Sequence, residues 1–420
     1  MNNLKPTKKV TVNISKFTNL LNSKYVISIM AYTTLFVSSF WGLYMMAPGS
    51  VKALYSLSVW VCIAFFPYML IRWNNFTKWT NYLLWTLLAM TVILILRSVF
   101  NSDKTLYAIG NKWLTLFGNE YCALLLLPPL FTYLGTIKYS VHLLKKVTFY
   151  YLLMALGLSV FLKFPMAMLS TFIIVFYPYA NKKYRILIIL AFAEAIIKSF
   201  WGENPTRMFL IIVPFALCSY FLVYINKNKK ILRIFALLVI IAPWLLFVPA
   251  LMLSKGEKSW FQQAQQYIMQ ESGDKDLAND TRTFLYIEMA NDLTKNNSWL
   301  FGKGAFSRYY SLYFDQSSLG RVGRISSEVP FLTHLLKGGI LYVIAYYGLL
   351  IYAIYLGIWK GRNKFVHSIA VIALGWYFNS FVGDITGCRF YHLAFFTLLG
   401  CCLSKSWLNY SDNKIRYILK

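Results

Sequence analysis

The stretch Ile234–Ser254, IFALLVIIAPWLLFVPALMLS, decides the fold class. It holds no charged residue, and it is bracketed by Lys227, Lys229, Lys230 and Arg233 before it and Lys255 after it. About 20 apolar residues in a helix cross the hydrocarbon core of a bilayer, because a helix satisfies its own backbone groups where lipid offers no partner. Runs of this kind recur near 25–47, 53–71, 81–100, 115–136, 147–162, 166–180, 186–201, 208–225, 335–358, 366–382 and 391–405. Hydrophobic residues fill 58% of the 420 positions, above the roughly 45–50% of a soluble domain. The expectation is an all-α, polytopic membrane bundle of about twelve transmembrane helices.

Charge sets the expected orientation. With the N-terminus inside, the inner segments collect 24 Lys and Arg, from Lys5 to Lys420, and the short outer segments six. That four-fold bias is the positive-inside pattern, and it places both termini in the cytoplasm. It also accounts for the net charge of +27 without nucleic acid, which a soluble protein of this charge would suggest. The N-terminus lacks a compact apolar region followed by a small-residue cleavage site, so the first span is expected to be its own targeting signal. The six Cys sit mostly within apolar runs without ligand spacing and read as small core residues. Cys388 reaches the outer side without an evident partner.

The expected organisation is a cytoplasmic segment 1–24, spans one to nine over 25–254, a large extracytoplasmic loop 255–333, spans ten to twelve over 334–406, and a cytoplasmic tail 407–420. The loop holds nine basic and nine acidic residues. Its length suits a functional element rather than a simple connection. Trp260, Phe261, Ala264, Tyr267 and Ile268 form an apolar stripe at helical spacing, suited to the interface. Asp280 or Thr281 is placed to cap a second helix in which Leu285, Met289 and Leu293 recur every four residues. Gly273–Asn279 between them is expected to be mobile.

Candidate residues gather on the outer side. Arg207, in WGENPTR, heads a span, where it reads as a clamp for a membrane-held phosphate or as a snorkelling interfacial Arg. Arg282 opens the loop helix, whose N-terminus favours anions, although a solvated Arg is an equal reading. Arg321 and Arg324, in GRVGR, add two cations beside glycines that permit close approach to a ligand. Glu328 and His334, in SSEVPFLTHLLKGG, stand at the entrance of the tenth span as candidate bases. The plainer readings are helix-dipole complementation for Glu328 and a hydrogen-bonded interfacial His334. Lys337 lies one turn further on. Glu194 and Lys198, four apart, read as a local ion pair. Asp274-Lys275-Asp276 looks like an acidic metal motif, but so short a motif arises by chance, and no metal or cofactor is expected.

The order of these features resembles the O-antigen polymerase and O-antigen ligase superfamily. The resemblance is carried by Thr206-Arg207 before a span, Arg282 at a loop-helix start, NNSWLFGKGAF over 296–306, and LLKGGILYVI over 335–344. It covers about 200–350. Such membership implies a glycosyltransferase of the bacterial inner membrane acting at its outer face. It would polymerise polyprenyl-pyrophosphate-linked repeat units into surface polysaccharide, namely O-antigen, capsule or exopolysaccharide. Arg207 and Arg282 would then bind the donor pyrophosphate, with Arg321 and Arg324 nearby. The implied partners are the lipid-linked donor and acceptor, membrane lipid, and a chain-length regulator and flippase. Ligases carry a His about eleven residues before the Gly of this span, where this chain has Glu328, with His334 five residues before Gly339. That departure favours polymerase over ligase and leaves Glu328 and His334 as alternative bases. A lipid-linked oligosaccharide flippase is the third reading, though no matching halves are visible. A polyprenyl-phosphate sugar transferase commonly uses acids in its first outer loop, and Ala47–Lys52 has none.

Overall fold

The computed structural model describes residues 76–100, 131–159, 170–201, 207–226, 228–252, 283–305, 307–309, 327–383 and 390–420. These are mostly helical (84%) with no strand, which agrees with the all-α expectation. The expected spans near 25–47 and 53–71, the Trp260–Ile268 stripe and Gly273–Asn279 lie outside the described residues.

The helices follow the apolar runs. They are α1 (Lys78–Phe100), α2 (Lys138–Ser159), α3 (Ser170–Ile173, continued by a 3-10 segment Ile174–Tyr179) and α4 (Lys182–Trp201). Next come α5 (Arg207–Tyr220), α6 (Lys229–Leu246) and α7 (Thr283–Lys295). The chain ends with α8 (Pro330–Tyr355, continued to Lys360), α9 (Lys364–Asn379), α10 (Phe390–Leu403), α11 (Lys405–Asn409) and α12 (Asp412–Leu419). Pro330–Lys360 is the one stretch of these whose length and apolarity alone suffice to cross a membrane, with a mean hydropathy of 1.9. Ile212–Ile225 and Ala394–Leu403 are shorter apolar helices.

Helix α9 is the centre of the bundle, with nearly every residue from Phe365 to Asn379 buried. Asn363 starts it: its side chain accepts from Val366 N at 2.9 Å and donates to the carbonyl of Trp407 at 2.8 Å. Helix α5 runs antiparallel beside it. Phe215 lies against Gly375 and Phe378, Ser219 bonds Ser368, and Lys364 sits over the Tyr224 ring. Close backbone approach recurs between the helical residues 131–135 and α10. A Cβ on Gly135 would stand 1.9 Å from the Thr397 carbonyl oxygen, and one on Gly400 would stand 2.0 Å from that of Thr132. Only small residues permit such contact.

Helix α6 shows the character of the surface. Leu232, Ala236, Val239 and Pro243 are buried at helical spacing, while Ile234, Leu237, Leu238, Ile241 and Leu245 are exposed. Both faces are therefore apolar. Helix α1 likewise exposes Trp79, Tyr82, Trp85, Val92, Ile93 and Leu96.

The segments expected inside meet at one end of the bundle. Phe76 bridges Ser404, Arg362 N donates to Leu408 O at 2.9 Å, and Lys364 N donates to Asp412 at 2.8 Å. Helix α12, docked on α2 through buried Ile415 and Leu419, gives the expected tail a fixed place. Segments near 247–252, 283–305, 327–338 and 376–383 meet at the opposite end.

Candidate functional site

The loop helix α7 forms where the four-residue spacing predicts it. Leu285, Met289 and Leu293 are each fully buried. Tyr286 joins them: its ring stacks on Phe247 and Phe331, and its hydroxyl donates to the Phe381 carbonyl at 2.7 Å. The anticipated cap residues Asp280 and Thr281 lie outside the described residues.

After α7 the chain enters the Trp299–Gly304 segment and locks onto a break in α8. At Gly339 the backbone leaves the helix, with φ 69° and ψ −169°. Such a break frees backbone groups that must find other partners, and Trp299–Gly304 supplies them. Ile340 N donates to Trp299 O at 2.8 Å and Leu341 N to Leu300 O at 3.3 Å. In return Lys303 N donates to Leu336 O at 2.7 Å and Gly304 N to Lys337 O at 2.9 Å. Gly302 (φ 62°) and Gly304 (φ 102°) take left-handed conformations in this seam. A Cβ on Gly302 would stand 2.4 Å from the Lys337 carbonyl, so glycine is required on both sides.

Two cations fasten the segment. Lys303 Nζ bonds Asp292 of α7 at 2.8 Å and the Arg308 carbonyl at 2.7 Å. Arg97, from the far end of α1, donates to the Phe301 carbonyl at 3.0 Å. Sequence reading singled out neither Asp292 nor Arg97, since a lone acid in a helix and an Arg ending a span carry no local signature. Lys303 is engaged in holding the loop to α7.

The break bends the arm Pro330–Gly338 back over the rest of α8. His334 and Tyr347 are 13 residues apart, about 20 Å in a straight helix. Here the Tyr347 hydroxyl lies 3.4 Å from His334 Nδ1. The His334 ring centroid is 4.4 Å from that of Tyr346 and 5.6 Å from that of Tyr342, and Phe331 meets Tyr347 at 5.6 Å. The expected picture of His334 at the mouth of a straight tenth span is thereby changed: its ring sits inside a tyrosine cage. The longer limb from Ile340 to Lys360 is about 31 Å long, the thickness of a hydrocarbon core. Lys337 is buried in the arm, 2% exposed.

Glu328 lies just before the arm. It is half-buried, one residue before the cap Val329. Ser327 Oγ accepts from Val329 N at 3.1 Å, Ser327 N donates to Thr333 Oγ1 at 3.0 Å, and Phe331 N donates to Ser380 O at 2.9 Å. These bonds fix the backbone on either side of the carboxylate. Arg207 is the first residue of α5. Because α5 runs antiparallel to α9, its backbone starts at the end where α9 finishes, which is the end that holds Glu328. Arg282, Arg321 and Arg324 lie outside the described residues, as does Cys388. Cys401 and Cys402 are buried free thiols, the core role expected of them. Among the described residues no three His, Cys, Asp or Glu side chains gather as a metal would require.

No family model matches the chain, and no curated protein or solved structure matches it.

Proposed function

We propose that this protein is a membrane glycosyltransferase that polymerises polyprenyl-pyrophosphate-linked repeat units at the outer face of a bacterial inner membrane, with about twelve spans and both termini inside. The observation that carries the reading is the seam between Trp299–Gly304 and the broken α8. The loop stretch and the entrance stretch, on which the sequence resemblance rests, are joined by four backbone hydrogen bonds into one rigid unit. The apolar outer faces of α1 and α6 support the membrane reading, because soluble monomers rarely expose such contiguous patches.

In this reaction a hydroxyl of the acceptor sugar attacks the anomeric carbon of the donor. Its proton passes to a base, and the bond from the anomeric carbon to the pyrophosphate oxygen breaks, the electron pair leaving with the pyrophosphate. Glu328 is the residue we assign as base, since it is a half-buried carboxylate just before the arm with its backbone fixed on either side. His334, enclosed by three tyrosines, holds the arm in its bent position. Arg207, Arg282, Arg321 and Arg324 would neutralise the departing charge. Confinement of both substrates to one membrane adds proximity.

The test is complementation of a strain lacking the gene with Arg207→Ala, Arg282→Ala and Glu328→Gln. Loss of long glycan, with single-unit lipid-linked precursor retained, supports the proposal. Normal chain length in all three variants overturns it. Long lipid-linked chains that fail to reach a final acceptor would instead identify a ligase.

A further inference from the structure

A cavity of about 550 Å³ lies at the basic end of the bundle, away from the break at Gly339. Its size falls within the ~300–1,000 Å³ of ordinary ligand sites. It is lined by His142, Lys145 and Lys146 of α2, by Asn181 and Tyr184 at the start of α4, and by Lys420, with no Asp or Glu side chain in its wall. Three lysines and a histidine thus share one hollow without an Asp or Glu side chain among them. The crowding is felt: burial and the charges of Lys146 and Lys145 hold His142 below its ordinary pKa, and burial lowers that of Lys145.

Two further features aim this hollow at an anion. The start of the 20-residue helix α4 borders it through Ala180, Asn181 and Tyr184, with Asn181 Oδ1 accepting from Tyr184 N at 2.9 Å. Such a terminus carries partial positive charge and favours phosphate. Lys145 Nζ donates to the carbonyls of Tyr179 and Leu419, so it is fixed in place with a third N–H to offer.

The exposed face of α2 identifies the source of the anion. Lys146, Tyr150 and Leu153 follow one another along it, the last two 56% and 53% exposed. A cation at the mouth of the cavity is therefore succeeded, turn by turn, by an aromatic and an apolar side chain. That sequence of surfaces fits a phosphate head at Lys146 and an acyl chain beyond it.

We propose that this cavity binds the phosphate of an anionic phospholipid at the inner leaflet. The proposal rests on the membrane reading of the chain but not on its transferase activity. Native mass spectrometry of the purified full-length protein, in micelles doped with phosphatidylglycerol or phosphatidylcholine, tests it. The wild type should retain phosphatidylglycerol and not phosphatidylcholine. Lys146→Glu should lower that retention about ten-fold, with Lys146→Arg retaining it and Lys183→Glu, an exposed charge at the same end but outside the cavity, leaving it unchanged. Equal retention by wild type and Lys146→Glu overturns the proposal, as does equal retention of both lipids. Titration with inorganic phosphate is the second arm: binding of phosphate without any retention of phosphatidylglycerol would overturn the lipid assignment and make free phosphate the ligand.

Discussion

Gly339→Ala is the sharpest perturbation of this structure. The residue's φ of 69° and ψ of −169° lie in a region reserved to glycine, and forcing another residue there costs about 1–3 kcal/mol. The added methyl would also stand 2.4 Å from the Leu300 carbonyl oxygen and 2.5 Å from Gly302 N. Both are backbone atoms that cannot rotate away, so the Trp299–Gly304 segment must shift, at about 1–3 kcal/mol more. The total is about 2–6 kcal/mol before any of the four seam hydrogen bonds is lost, each worth about 1 kcal/mol net. Unfolding of the purified full-length chain in mild detergent, followed by the fluorescence of its 13 tryptophans, reads this loss of stability. Gly157→Ala is the control. A Cβ there meets nothing within 4 Å, and the change in helix α2 should be neutral or stabilising by up to about 1 kcal/mol. If Gly339→Ala unfolds within about 0.5 kcal/mol of the wild type, the bent arm and its lock are refuted.

Other outcomes follow from the same contacts. Gly302→Ala should be comparably destabilising, and combined with Gly339→Ala it should add much less than the sum, because both disrupt one seam; full additivity in the double mutant contradicts this. Leu293→Ala should cost about 2–5 kcal/mol as a cavity under α7, and an unfolding midpoint like the wild type's would mean that the loop helix is not docked. Gly400→Ala should weaken the α10 contact by at least about 1–3 kcal/mol, again read from unfolding. Glu328→Gln should leave the unfolding midpoint unchanged while lowering polymer formation by at least about a hundred-fold; retained activity removes Glu328 as base.

The helical fold was legible because its elements are long and locally encoded. Leu285, Met289 and Leu293 announced α7 by spacing alone, and the basic segments between apolar runs foretold which connections meet at one end of the bundle. The break at Gly339 was not legible in that way. LLKGGILYVI reads as an uninterrupted span, since nothing local separates a tolerated Gly from one that leaves the helix. What decides it is a set of backbone partners some forty residues upstream, at Trp299, Leu300, Lys303 and Gly304. The same tertiary cause moves His334 from an entrance to a tyrosine cage. Arg97 and Asp292 escaped notice because each acts through a carbonyl or a partner that only the folded loop brings near. The tail helix Asp412–Leu419 carried a readable cap in Ser411, which accepts from Lys414 N, but eight residues give a weak periodic signal.

The most direct measurement is mass analysis of the glycan and of its lipid-linked precursors in a strain lacking this protein, with the precursors located to one side of the membrane. The account predicts loss of long chains and accumulation of single repeat units on the outer side. Unchanged chain length, or precursor held on the inner side, would contradict it.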